Sequence, residues 1–198
     1  MTTASAEQLE NHRQQILEAA QRCFVRNGLH GTSMEDVAAE SKLPAETVSR
    51  LFETRDDLVE GIAVNILRMI SNFFEEVSRE DPVRPLDEIV ERFANTVIAF
   101  SGVDGPGRLM PIYWASALYN TQMAERAWPP IEQGRSGWVE IAERERVAGR
   151  LPADADPKAV GAMLACLMPG ILVQHLLLED IDAATFRRGI LGLLGAKA

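Results

Sequence analysis

The 198-residue chain carries 20 Lys and Arg against 29 Asp and Glu, a formal net charge of −9, with 46% hydrophobic and 25% charged residues. Such proportions belong to one or two ordinary globular domains and exclude fibrous and disordered classes. The acidic balance also argues against a protein that binds polyanions without regard to sequence.

Met1 to Gln15 have neither a basic segment nor an apolar run of the kind that directs secretion, so a cytoplasmic protein is expected. The longest apolar candidate, Ala162 to Leu178, is interrupted by Pro169, Gly170, Gln174 and His175, and no membrane span is expected. Cys23 and Cys166 lie far apart on apolar helical faces and read as buried, reduced thiols. Residues 1–10 show no periodicity and read as an arm. From Asn11 to Asn27 the positions Ile16, Ala19, Ala20, Cys23 and Phe24 follow helical spacing, with Gly28 as the residue that ends the helix.

The next stretch reads as helix, tight turn, helix. Thr32 and Glu35 have capping-box spacing, and Met34, Val37 and Ala38 supply one apolar stripe. Pro44 suits the start of the second helix, whose apolar positions are Val48, Leu51 and Phe52. Its outer face is then Ala45, Glu46, Thr47, Ser49 and Arg50, short polar side chains and one guanidinium, suited to a DNA groove. Thr54 and Asp57 cap a long helix to about Ser78, apolar over a broad arc from Leu58 through Ile62, Ile66, Phe73 and Val77. A break at Asp81 to Pro85 precedes a fifth helix ending at Phe100, and a loop to Gly107 precedes a sixth from about Arg108 to Tyr119. A seventh covers about Thr121 to Ala148, with a kink or break expected at Pro129 and Pro130. Asp156 and Pro157 open an eighth helix to about Leu178, and Asp182 caps a ninth through Leu194.

The span from Arg13 to Gly61 resembles the amino-terminal domain of TetR-like (TetR/AcrR) transcriptional regulators. The matching residues are Ile16, Leu17, Ala19, Ala20, Phe24, Gly28, Gly31, Thr32, Ser33, Val37, Ala38, Thr47, Val48, Phe52 and Leu58. Departures are Lys42 where the family usually has Gly, Ser49 for Tyr and Arg55 for Lys. The fold expected is all-α, with a helix-turn-helix DNA-binding domain over residues 1–57 and a helical effector-binding and dimerisation domain over residues 58–198. The function expected is that of a ligand-responsive dimeric repressor, released from a palindromic operator by a small molecule. DNA-contacting candidates are Thr32, Ser33, Lys42, Ala45, Glu46, Thr47, Ser49, Arg50 and Arg55. Residues 1–57 hold six Lys and Arg against ten Asp and Glu, net −4, so phosphate contact must come from cations placed at helix ends, Arg13 among them.

In the second domain the last two helices are more apolar than their own packing requires. Val160, Leu164, Leu167, Ile171, Phe186, Ile190, Leu193 and Leu194 are expected at a homodimer interface, as the resemblance also implies. Large soft side chains concentrate ahead of them: Met69, Phe73, Phe93, Val97, Phe100, Met110, Tyr113, Trp114 and Met168, together with Met123, Trp128 and Trp138. They fit either a core or an apolar pocket, and the resemblance favours a pocket for an apolar or aromatic effector. Asn120, Gln174, His175 and Glu179, with Tyr113, are the polar groups available to orient it. No nucleophile elbow, phosphate-binding glycine loop or paired His and carboxylate motif is present, so no catalytic residue, cofactor or metal is expected and the chain reads as a non-enzyme. The competing reading is a helical carrier of apolar ligands that does not touch DNA.

Overall fold

The computed structural model describes residues 6–102, 105–178 and 181–195. Ten α-helices follow one another: α1 Ala6–Asn27, α2 Met34–Ser41, α3 Ala45–Leu51, α4 Arg55–Ser78, α5 Leu86–Phe100, α6 Met110–Tyr119, α7 Thr121–Val147, α8 Pro157–Ala165, α9 Leu167–Leu178 and α10 Ala183–Leu194. A 3₁₀ turn, Pro106–Leu109, precedes α6, and no strand occurs among the described residues. The chain forms two compact units, Met1–Ile66 with Val103–Met123, and Leu67–Gly102 with Ala124–Ala198. The single helix α4 contributes residues to both.

In the first unit α1 begins at Ala6, so the expected arm is shorter than residues 1–10, and residues 1–5 lie outside the described ones. Ala6 to Glu10 favour helix by backbone preference, and with Leu9 their one large apolar residue, half-buried, they carry no apolar stripe in the sequence. Gly28 ends α1 with φ +74 and its N–H on the Phe24 carbonyl at 2.9 Å. Of the two hydroxyls able to accept at this helix start, Ser33 is the cap of α2, and the capping box is Ser33 with Asp36 rather than Thr32 with Glu35. Ser33 accepts from the Asp36 amide at 3.1 Å, and the Asp36 carboxylate accepts from the Ser33 amide at 2.8 Å. Thr32 is buried, and its hydroxyl donates to the carbonyls of Cys23 and Gly28. The reciprocal cap at α4 is as expected, with Asp57 accepting from the Thr54 amide and Thr54 from the Asp57 amide. Ile16, Ala20, Phe24, Val37, Val48 and Phe52 form the core of this unit, whereas Leu51 is only half-buried. Gly61 lets α4 approach closely, since a Cβ there would stand 2.7 Å from Leu17 and 3.2 Å from Phe52.

In the second unit Phe73, Phe74, Phe93 and Trp138 interlock, with Trp138 edge-on to Phe93 at 5.0 Å and to Phe74 at 5.3 Å. This geometry is the favoured one for aromatic pairs. Of the expected kink or break in α7, no break occurs: the helix is continuous through Pro129 and Pro130. Trp128 and Pro129 are exposed there, so water can satisfy carbonyls that lose their helical donors. Conversely the expected eighth helix is divided at Cys166. The Pro169 ring meets the carbonyl position four residues back, at Ala165, and the chain tightens so that the Cys166 amide bonds Met163 instead. Counted as one helix with a one-residue break, the total is the nine expected. Cys166 is exposed rather than buried, while Cys23 is buried and desolvation pushes its thiol upward; both are free thiols.

Two adjacent residues of α7 hold the corner between α4 and α5. The Arg144 guanidinium donates to the carbonyls of Val77, Ser78 and Glu80 at the end of α4. The Glu145 carboxylate accepts from the Leu86 amide at the start of α5, where Pro85 offers no side-chain cap. Each charge opposes the helix end it faces. Asp182 caps α10 as expected, and Arg187 on α10 donates to Asp87 and Glu91 on α5.

Candidate nucleic-acid interface

The helix α3 is seated by Val48 and Phe52, both buried, and presents Ala45, Glu46, Ser49 and Arg50 to solvent with Thr47 half-buried beside them. This is the outer face expected from the spacing. Ser33 is exposed and already occupied as the α2 cap, whereas Thr32 is inside the unit and cannot reach DNA. Lys42 is exposed at the turn, with φ 58 and ψ 26. Its N–H donates to the Ala39 carbonyl, while the side chains of Lys42 and Arg50 have no hydrogen-bond or ion-pair partner among the described residues.

The remaining cations of this unit are engaged, which spacing alone does not show. Arg13, expected near phosphate, lies over the Phe52 ring at 4.6 Å. Arg22 and Arg26 both bond Glu40, and these two contacts hold the Glu40 carboxyl below the usual carboxylate range. The Ser33 amide and hydroxyl likewise lower Asp36. Arg55 turns inward, its Nη1 within 3.2 to 3.3 Å of the carbonyls of Leu29, His30 and Thr32. A donor shared by three carbonyls ties the α1–α2 loop to the start of α4. Arg55→Ala should therefore lower the stability of this unit by about 1.5 kcal/mol, near the lower bound for hydrogen bonds to a charged group because Arg55 is half-exposed. Thermal unfolding measures it, and an unchanged midpoint would show that the guanidinium supports nothing.

The effector candidates fall in both units. Met110 and Tyr113 are buried and Trp114 half-buried in the first; Phe73, Phe93, Val97 and Phe100 are buried in the second. Phe73 and Phe93 belong to the interlocked aromatic cluster, so core packing accounts for them. Met69 is 37% exposed and Trp128 65% exposed. Met168, Gln174 and His175 are half-buried on α8's continuation, α9, and the Nδ1 of His175 is buried without a hydrogen-bond partner. Asn120 caps the start of α7 by accepting from the Met123 amide. Glu179 lies outside the described residues.

Of the expected interface residues, Leu164, Ile171 and Ile190 are buried within their own unit and serve its core. Val160, Leu167 and Phe186 are half-buried, and Leu193 and Leu194 are exposed. Met163, which the apolar pattern of the expected eighth helix includes, is 55% exposed, and sequence reasoning missed Val173 and Leu177, at 42% and 75% exposure. Taken through Cys166, Pro157–Leu178 is long and apolar enough to cross a membrane by length and composition, contrary to the expectation from its interruptions. Its buried face packs within the unit, Gly161 meeting Val139 so closely that a Cβ would stand 2.5 Å away.

A helix-turn-helix is followed by one long helix, α4, that contributes to a second, all-helical unit. The first of these units is similar to TetR-like regulators over its helix-turn-helix. Residues 16–62 match the family described as bacterial regulatory proteins, tetR family. A stretch of 64 residues is 33% identical to the HTH-type transcriptional regulator LuxR of Vibrio harveyi, covering 32% of this chain and 31% of that one, so the match spans about a third of the relative's length. The whole fold is similar to that of Salmonella enterica GusR, at 22% identity and TM-score 0.70, covering 94% of this chain and 96% of that one. It is equally similar to a SmeT–triclosan complex, at 20% identity and TM-score 0.73, covering 92% and 91%.

Proposed function

We propose that the chain is a ligand-responsive DNA-binding transcriptional regulator, a homodimeric repressor released from a palindromic operator by a mostly apolar small molecule. The observation that carries this reading is the exposed face of α3. A seven-residue helix held by Val48 and Phe52 leaves Ala45, Glu46, Ser49 and Arg50 outside, where Ser49 bonds only the Glu46 carbonyl of the same helix and the Arg50 guanidinium meets no partner among the described residues. In a helix-turn-helix that face reads base edges in the major groove. A symmetric dimer supplies the second half-site about 34 Å away. The exposed Met163, Val173, Leu177 and Leu193 on α8, α9 and α10 support a second copy as the partner.

The SmeT complex contains triclosan, which supports an apolar, aromatic effector for a protein of this fold. The unpaired Nδ1 of His175 supports a ligand with one hydrogen-bonding group, since an orphaned buried polar atom costs about 1–3 kcal/mol that such a group would recover. Ligand binding would bias α4, which carries the helix-turn-helix at its amino-terminal end. Release of nearly all bound protein needs a preference of roughly 10⁴-fold for the released conformer.

Selection of duplexes from a random-sequence pool, with light scattering on the bound and free protein, tests the reading. Enrichment of a two-fold symmetric site by a dimer is expected. A protein that enriches no duplex but takes up apolar compounds would be a carrier, a reading for which the net −4 of residues 1–57 leaves room.

A further inference from the structure

We infer that Lys42 is an anchor on the DNA phosphate backbone, kept at the turn between α2 and α3 against the preference of its own backbone. The inference rests on the DNA-binding reading above. Lys42 is the one non-glycine residue with positive φ among the described residues. The left-handed region crowds a Cβ against the following carbonyl, and Gly would occupy this place without that conflict. Lys also lacks the short polar side chain with which Asn or Asp offsets the crowding.

What Lys adds at this position is a charge, and the charge is unspent within the chain. The side chain is exposed and its ammonium makes no ion pair or hydrogen bond among the described residues. Arg13, Arg22, Arg26 and Arg55 of the same unit are engaged by Phe52, by Glu40 and by backbone carbonyls. Lys42 precedes Pro44, the cap of α3, by two residues. In helix-turn-helix docking the first helix crosses the sugar-phosphate backbone while the second enters the groove, so the turn between them lies beside phosphates. The backbone of Lys42 closes α2 through its N–H on the Ala39 carbonyl, a task that Gly would perform without strain, whereas its outward cation has no intramolecular role and fits a binding function. In a segment of net −4 it is one of two free cations left to attract the duplex.

The test compares Lys42→Gly and Lys42→Arg with the unaltered protein. Thermal unfolding is measured, along with binding to random-sequence duplexes of about 30 base pairs, three helical turns, and to the duplexes that the unaltered protein enriches. Binding is followed from roughly 50 to 200 mM salt. Lys42→Gly should raise the unfolding midpoint by roughly 2–4 °C. It should also flatten the plot of log affinity against log salt by roughly 1.8 for a dimer losing two phosphate contacts. Lys42→Arg should keep the slope. An unchanged slope in Lys42→Gly overturns the inference and leaves the DNA-binding reading standing. A lowered midpoint also overturns it, because the side chain would then be supporting the fold. If the unaltered protein retains no duplex at any salt, both fall together.

Discussion

Glu145→Ala should lower the stability of the protein by about 3 kcal/mol, the lower bound for removing one partner of a buried ion pair. The carboxylate is 1% exposed and holds two things at once. It accepts from the Leu86 amide at 3.1 Å, and it pairs with Arg150, whose Nε lies 3.0 Å from both its oxygens. Truncation leaves the first amide of α5 without an acceptor, because Pro85 supplies none, and leaves the Arg150 guanidinium without its counter-charge. Arg150 is about one-third exposed and can turn toward water, which keeps the effect near the lower bound. A midpoint roughly 6–12 °C lower is expected. Glu145→Gln retains an acceptor for the amide but not the charge, so it should lose roughly half as much. A Glu145→Ala midpoint within a degree of the original would show that the α4–α5 corner does not depend on this clamp.

Thr47→Ala and Arg50→Ala should each weaken binding to a selected duplex by about 1–3 kcal/mol, roughly 5- to 150-fold, if α3 reads bases. Random duplexes should be bound nearly as before by Thr47→Ala. Both side chains lie on the outer face of α3, and Arg50 has no intramolecular partner among the described residues, so unfolding should move little, within about 0.5 kcal/mol. Fluorescence anisotropy on the two kinds of duplex separates the outcomes. Equal losses of Arg50→Ala on both would assign the guanidinium to phosphate, and no loss from either variant would remove α3 from the interface.

Local chemistry was readable in the sequence wherever cause and effect lie within one helical turn. Asp156, Asp182 and the Thr54 and Asp57 pair mark helix starts because a side-chain oxygen there meets an amide two or three residues on. Periodicity likewise placed Val48 and Phe52 inside and Ala45, Glu46, Ser49 and Arg50 outside. Between Thr32 and Ser33, however, either hydroxyl suits the cap. The choice is made by Cys23, nine residues earlier, whose carbonyl draws Thr32 inward. Helical continuity at proline also depended on surroundings: Pro129 and Pro130 sit within α7, whereas Pro169 accompanies the break at Cys166.

By itself, then, the amino-acid sequence determined an all-α chain, the helix starts capped by Thr54, Asp156 and Asp182, the helix-turn-helix and the outward face of α3, since all of these follow from spacing along one chain. Only the tertiary structure decided which cations remain for DNA and which apolar side chains remain for a partner. Arg55 and Arg13 are drawn to carbonyls and a ring 23 to 39 residues away in sequence. Leu164, Ile171 and Ile190 are taken into the core while Met163 and Leu177, on the same helices, are left in water. Charge and hydrophobicity are properties of residues, but their availability is a property of packing: a guanidinium or a leucine can satisfy one set of neighbours at a time, and distant segments determine which.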